Sequence, residues 1–239
     1  MASSMKHAVV LAALIVVCLF LVGEAVVPGA IGTRLEKAIA RSVDEVESIH
    51  VYIRTFPALA VVFGRVDLLR IDARNVTMGG LRVQRLFVDA RHADVDVGAI
   101  LRGGQVGLRR IHKGDVTVIL AEGDLNAYLH SRDGILRALA VKLRPGVATV
   151  AGHVNVLGIK VDIVLDGRFV VEGGTRLRYV VDRLRVGNAV IPEVIKDELM
   201  GAVDLSVDVS GLPVPVVLRE VNVQDGVVYV FGGTPATGN

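Results

Sequence analysis

The feature that most limits the fold is a two-residue alternation that runs through fourteen consecutive positions, residues 159–172. One parity is almost wholly apolar: Ile159, Val161, Ile163, Leu165, Gly167, Phe169 and Val171. The other parity is mostly charged, with Lys160, Asp162, Asp166, Arg168 and Glu172. The pattern predicts one β-strand, spanning about 44 Å, with one face toward a core and the other toward solvent. Because the parity continues unbroken through Gly167, we expect a bent strand and not a hairpin broken at that glycine.

An earlier segment has a helical period instead. Its apolar residues fall within an arc of about 120° when each residue advances by about 100°: Ile31, Leu35, Ile39, Val43, Val46 and Ile49. The pattern predicts an amphipathic helix over residues 31–49. Its polar side carries three basic and four acidic residues, whereas helices that lie on membranes usually have an excess of Lys and Arg. We therefore expect this helix to pack on the protein's own sheet.

The rest of the chain reads mainly as strands separated by glycine-containing turns, with two further short helices over residues 122–132 and 192–203. One-residue shifts of apolar parity, as between Val66 and Leu69, predict β-bulges that curve the sheet. The predicted class is α+β, with a long amphipathic helix wrapped by a highly curved antiparallel sheet. We expect one domain over residues 29–233 and a flexible tail over residues 234–239.

The first 28 residues read as an export leader. Lys6 precedes an apolar run of 15 residues, residues 8–22, which as a helix spans about 22 Å against roughly 30 Å of bilayer hydrocarbon. Residues 1–28 are either a signal peptide cleaved after Ala25 or a retained membrane anchor, and we favour the anchor. In both cases the remainder is expected to be exported to the extracytoplasmic face of the membrane.

The sequence lacks the residues that several classes of function require. The one cysteine, Cys18, lies in the leader, so a disulfide framework within the chain is excluded. The net charge is only +2, which argues against a nucleic-acid partner. No nucleophile or phosphate-binding motif occurs, and no catalytic residue or cofactor is predicted. Asp94 and Asp96 fit either a divalent cation or a solvated strand face, and we predict no metal.

The apolar content points to a ligand. Hydrophobic residues make up 52% of the chain but aromatic residues only 4%, so the interior is lined by short aliphatic side chains. Long strands around one helix enclose more apolar space than such side chains fill, and an open apolar tube suits acyl chains. A group of arginines in and after the alternating segment fits either a site for an anionic head group or a charged outer sheet face: Arg168, Arg176, Arg178, Arg183 and Arg185.

Short motifs in a fixed order resemble the LmeA-like phospholipid-binding family of exported bacterial domains. They are Phe56-Pro57-Ala58-Leu59, Gly64-Arg65-Val66-Asp67, residues 71–76 (IDARNV), Gly79-Gly80-Leu81, Val88-Asp89-Ala90, residues 122–126 (EGDLN) and Leu212-Pro213-Val214-Pro215. The resemblance implies the tubular lipid-binding (TULIP) superfold and phospholipid binding in the cell envelope without catalysis. It carries over no fixed set of site residues.

The combined hypothesis is a non-enzymatic protein that binds phospholipid or another acyl lipid at the membrane, for transfer or sensing. Leu35, Ile39, Val43 and Val46 are expected to face Ile159, Val161, Ile163, Leu165 and Phe169 across an acyl channel. Two alternatives stay open. One is a structural or adhesive envelope module with a filled core and no ligand, and the other is a hydrolase that uses Asp94 and Asp96 with a metal.

Overall fold

A computed structural model describes residues 29–41, 43–96, 98, 108–156, 159–187, 206–208 and 216–233. The predictions for the leader, for the helix over residues 192–203 and for the tail lie outside these residues. The described helices are α1 (29–40) and α2 (Glu122–His130), with 3-10 helices η1 (Ala58–Phe63) and η2 (Gly134–Ala138). The described strands are β1 (Glu45–Arg54), β2 (Arg65–Met78), β3 (Leu81–Val95), β4 (Leu108–Ala121), β5 (Leu139–Arg144), β6 (Val147–Val156), β7 (Ile159–Glu172), β8 (Arg176–Val186), β9 (Ser206–Asp208), β10 (Val217–Gln224) and β11 (Val227–Gly233).

The strands form two antiparallel sheets. The first has the order β1-β2-β3-β4-β11-β10 and the second the order β5-β6-β7-β8-β9. Buried side chains from both sheets and from α1 belong to one connected apolar cluster. The α+β class is therefore confirmed, with two sheets in the described part where one curved sheet was expected.

The strand predicted over residues 159–172 is confirmed as β7. It pairs with β6 on one side and with β8 on the other, and its register with β8 shifts between Asp166 and Gly167. A register shift of this kind bends and twists a strand. The glycine therefore eases a bend within one strand and does not end it.

The helix predicted over residues 31–49 is wrong in its second half. The helix ends at residue 40, and Val46 and Ile49 lie in β1. These residues are β-branched, and with Val51 and Ile53 they also fit a strand, where branched side chains pack well. β1 pairs with β2 from Glu45 opposite Thr77 to Arg54 opposite Leu68. The backbone hydrogen bonds of this pairing favour the strand over the helix for residues that fit both patterns.

The bulges predicted from the parity shifts in β2 and β3 are also wrong, because the pairing of these two strands with each other shows no register shift. The shift that β3 makes, against β4, lies elsewhere, between Asp94 and Val95. The buried face still changes along β2, from Val66 to Leu69 and again from Ala73 to Val76. Two residues with left-handed backbone lie at these places: Asn75 in β2 (φ 49°), and His92 in β3 (φ 50°), beside the pair that Ala93 makes with Val66. A left-handed residue rotates the strand, so both partners change face while staying paired.

Helix α2 joins the two sheets. Its predicted start at Glu122 is confirmed, and it ends at His130. The side-chain amide of Asn126 donates to Val141 O (2.9 Å), and its Oδ1 accepts from Val141 N (2.6 Å). The Glu122 carboxylate accepts the backbone N–H of Leu143 at 2.7 Å. These bonds fix β5 of the second sheet beside the end of β4 in the first.

Candidate functional site

The predicted apolar face of β7 lies in the core. Val161, Ile163 and Leu165 are 8%, 1% and 2% exposed, whereas Phe169 is half-buried and packs against the same cluster. Ile159 lies in β7, and its side chain is outside the described set. The shared burial follows from the two-residue period that predicted it.

The helical half of the predicted site is divided between two elements. Leu35 is buried in α1, and Ile39 in α1 and Val43 in the following turn are half-buried. Val46 lies in β1 and is half-buried as well. All four residues belong to or pack against the same apolar cluster as Val161, Ile163 and Leu165. This cluster extends through both sheets, so membership does not place α1 beside β7, and the arrangement of the two halves across a channel stays a prediction.

The members of this region differ in how closely they are enclosed. Leu35, Ile163 and Leu165 have almost no accessible surface, so protein atoms surround them on all sides. Ile39, Val43, Val46 and Phe169 keep accessible surface at their half-buried positions. Any acyl chain that enters without rearrangement therefore meets the half-buried members first.

A concavity of about 800 Å³ lies on the outer side of the second sheet, and both polar and apolar atoms line it. Its charged and polar residues are Lys142, Arg144, Thr149, Asp166, Asp182, Arg183 and Arg185. Thr149 donates to the Asp166 carboxylate at 2.8 Å and Arg185 lies 2.7 Å from it. In that order of importance, these contacts hold the pKa of Asp166 below its usual range. The concavity therefore presents charged groups of both signs beside the apolar side chains of Pro145 and Val147.

The arginine cluster on β7 and β8 is largely neutralised. Arg168 pairs with Asp182 at 3.1 Å, Arg178 with Glu172 at 3.0 Å, and Arg185 with Asp166 at 2.7 Å. The partners alternate with the arginines along the outer face of the sheet, as exposed cross-strand pairs do. The arrangement favours the charged outer face over a dedicated head-group site.

The two acids considered for a metal, Asp94 and Asp96, lie at the end of β3 and directly after it. Asp94 is opposite Arg65 in the sheet register, and the nearby Asp89 pairs with Arg70 at 2.7 Å. Within the described residues, no group of three or more His, Cys, Asp or Glu side chains could hold a metal ion. Likewise, none of the helices described here is long and apolar enough to cross a membrane.

One apolar surface was missed by sequence reasoning. Phe56, which precedes η1, is 77% exposed, and Phe63, the last residue of η1, is 84% exposed. The available signal was an apolar run, residues 58–63, between Pro57 and Gly64. That run is too short for a stable α-helix and lacks the alternation of a strand.

The fold and the apolar region define an α+β protein whose two antiparallel sheets share one aliphatic core. The family model described as LmeA-like phospholipid-binding matches residues 22–230. The chain therefore belongs to the LmeA-like phospholipid-binding family, and the resemblance seen in its motifs is confirmed. Searches among curated proteins and among solved structures found no significant match.

Proposed function

We propose that this protein binds phospholipid without catalysis and carries or senses it at the extracytoplasmic face of the cell membrane. The acyl chains lie in a tubular apolar space bounded by α1 and by the inner face of β7. Membership of a family described as phospholipid-binding, over residues 22–230, is the observation that carries this proposal. The predicted leader supports the location, and the shared apolar cluster of α1 and β7 supports the site.

Energetics favour a carrier over a store. Two 16-carbon chains have about 30 methylene groups, worth about 24 kcal/mol if transferred from water at about 0.8 kcal/mol each. That exceeds the limit of non-covalent affinity, about 18–21 kcal/mol. Chains that leave a bilayer were never in water, so the net gain is small. Lipid can therefore pass in both directions between membrane and protein.

Close packing favours a second candidate, a structural envelope module with a filled core. Leu139, Leu143 and Val150 of the second sheet are completely buried, and Ile163 and Leu165 nearly so. Residues that line an open tube keep accessible surface toward it, so this burial fits a filled core unless lipid entry moves these side chains apart. The two functions therefore differ in what the purified protein contains.

Mass spectrometry of organic extracts from the purified full-length protein tests the proposal. Wild-type protein should yield phospholipid. The variant Val161→Phe fills the inner face of β7 and should reduce lipid per protein severalfold, because a benzyl group occupies space needed by the chains. The matched variant Val164→Phe, on the opposite face of the same strand, should leave the lipid content unchanged.

Three results would count against the proposal. Lipid-free wild-type protein would favour the structural module. Equal lipid content in the two phenylalanine variants would show that the acyl chains do not bind at the inner face of β7. Overpacking of a solid core typically costs about 1–3 kcal/mol, so circular dichroism must show that Val161→Phe is folded. If it is not, Ile39→Phe on the half-buried side of α1 serves as the second variant, and unchanged lipid there contradicts the assignment.

A further inference from the structure

Exposed apolar side chains are concentrated at one end of the first sheet. Six large apolar side chains are exposed among the described residues, and four of them lie in or beside the connection from β1 to β2: Tyr52, Phe56, Val62 and Phe63. We name residues 55–64 the phenylalanine loop. Large aromatic groups in water are unfavourable, and such a patch marks a surface that meets a partner.

The phenylalanine loop is held in place. Thr55 Oγ1 donates to Arg65 O at 3.2 Å, and Phe56 N donates to the Asp67 carboxylate at 2.9 Å. Ala58 and Val61 are 1% and 0% exposed and share one side of the three-residue turn of η1. The exposure of Phe56 and Phe63 is therefore a built feature of the loop.

The end of the loop is tied to β3. Gly64 adopts a φ of 87°, its N–H donates to Val61 O at 2.9 Å, and its carbonyl accepts from Val95 N at 2.7 Å. A side chain at Gly64 would collide with Val95 O. Glycine is thus required where the loop turns into β2, and this turn fixes the direction of the neighbouring Phe63.

The loop lies at the same end of the molecule as the start of α1. The helix runs antiparallel to β1, since Glu36 accepts the N–H of Val51 at 2.8 Å and Asp44 N bonds to Thr77 O at 3.0 Å in the turn between them. Residue 29 is three helical residues, about 4.5 Å, beyond Gly32, which lies against Val51. Arg54 is three strand residues, about 10 Å, beyond Val51 in the same direction.

The chain that precedes α1 identifies the occupant. Six residues, 23–28, separate the apolar run of residues 8–22 from the first described residue, 29, and a linker of that length spans at most about 25 Å. We infer that the phenylalanine loop is a membrane-docking surface that inserts Phe56, Val62 and Phe63 into the boundary between head groups and acyl chains. This inference rests on the proposed function and on the retained anchor, the favoured interpretation of the leader, in which residues 8–22 stay in the membrane.

Charges around the loop agree with a lipid surface. Arg54 and Arg65 are exposed at its two ends, where guanidinium groups can meet phosphates while the rings enter the apolar layer. The nearest acid in sequence, Asp67, is occupied by the N–H of Phe56. A tether next to the loop keeps it at a high local concentration at the bilayer, so a small patch is enough to orient the protein.

Site-specific fluorescence on the full-length protein tests the inference. In a Cys18→Ala background, the cysteine of Val62→Cys is labelled with a polarity-sensitive dye. The labelled protein is then reconstituted into vesicles of phosphatidylethanolamine and phosphatidylglycerol. Iodide should quench this dye severalfold less than a dye on Asp225→Cys in the β10–β11 turn, which lies at the other end of the first sheet. Adding Phe56→Ser and Phe63→Ser should restore quenching, whereas the matched Phe231→Ser should not.

Equal quenching at positions 62 and 225 would overturn the inference, and so would protection that survives the double serine variant. The exposed rings contribute little to the fold, so these variants should remain folded. Lipid content is measured by mass spectrometry on the same protein before reconstitution. If lipid is bound and the loop is not protected, docking is refuted and the proposed function stands. If the loop is protected on lipid-free protein, docking is supported and the proposed function is refuted.

Discussion

At the scale of single residues, Gly167 and Tyr179 form a tight junction in the second sheet. The Tyr179 hydroxyl donates toward the carbonyls of Ala148 (2.9 Å) and Leu165 (2.8 Å). Burial raises the pKa of Tyr179, so the ring stays neutral. A Cβ at Gly167 would lie 2.8 Å from Tyr179 Cζ and would collide with Val180 O. The glycine therefore makes room for an aromatic ring that covers the bend of β7.

The substitution Gly167→Ala should lower the free energy of unfolding by about 1–3 kcal/mol, because backbone on one side and a buried ring on the other prevent relaxation. The matched Gly123→Ala lies in α2, where an added Cβ meets no atom within 4 Å. It should stabilise the protein by about 0.5 kcal/mol. Urea denaturation of the two variants measures both effects, and equal stability of the two would disprove the tight junction.

At the scale of elements, local pattern was enough for β7 and not for α1. The alternation from Ile159 to Glu172 is long enough that only a strand fits it. Val43, Val46 and Ile49 fit both a helical arc and a strand, and the choice depends on pairing with β2, which no local pattern contains. The exposure of Phe56 and Phe63 could not be predicted either. A short apolar turn has no periodicity that indicates which of its side chains face the core.

Helix α2 makes the stability of the protein depend on pH. The backbone N–H of Leu143, and then Lys142 at 3.0 Å, hold the pKa of Glu122 below its ordinary value of 4.5. The unfolded chain therefore binds the proton more readily than the folded one. The stabilisation is complete above the unfolded pKa and is lost as the pH falls through the lower, folded value.

Replacing Glu122 by Gln should reduce the free energy of unfolding at pH 7 by about 1–2 kcal/mol, since a charge-assisted bond becomes neutral. The difference from wild type should shrink as the pH falls below 4.5, the ordinary value for this carboxyl. Glu172→Gln breaks an exposed pair with Arg178 and should cost at most about 1 kcal/mol. Urea titrations at several pH values provide the comparison, and a Glu122→Gln deficit that does not vary with pH would contradict it.

At the scale of the whole molecule, the pairing of β11 with β4 joins strands that lie more than 100 residues apart in sequence, as with Val227 and Ala121. Such long-range order cannot be read from local periodicity, and the division into two sheets was missed for that reason. The same architecture places the apolar region between secondary-structure elements distant in sequence. A ligand held there links those elements and stabilises the fold as a whole.

Removing lipid should therefore lower the unfolding temperature. A ligand at about 100 times its dissociation constant adds about 2.7 kcal/mol to the stability of the folded state. Calorimetry of protein before and after exchange into lipid-free detergent should show a fall for wild type and a smaller one for Val161→Phe. An unchanged temperature in both proteins would favour the filled structural module.

The contact between α1 and β1 has a consequence for association between molecules. β1 is the outermost strand of its sheet, and an open outermost strand is a template on which another chain can add. The N–H of Val51 donates to the Glu36 carboxylate. This donor is therefore not available to the backbone carbonyl of a second chain. The helix thus shields the sheet from edge-to-edge aggregation as well as packing on its core.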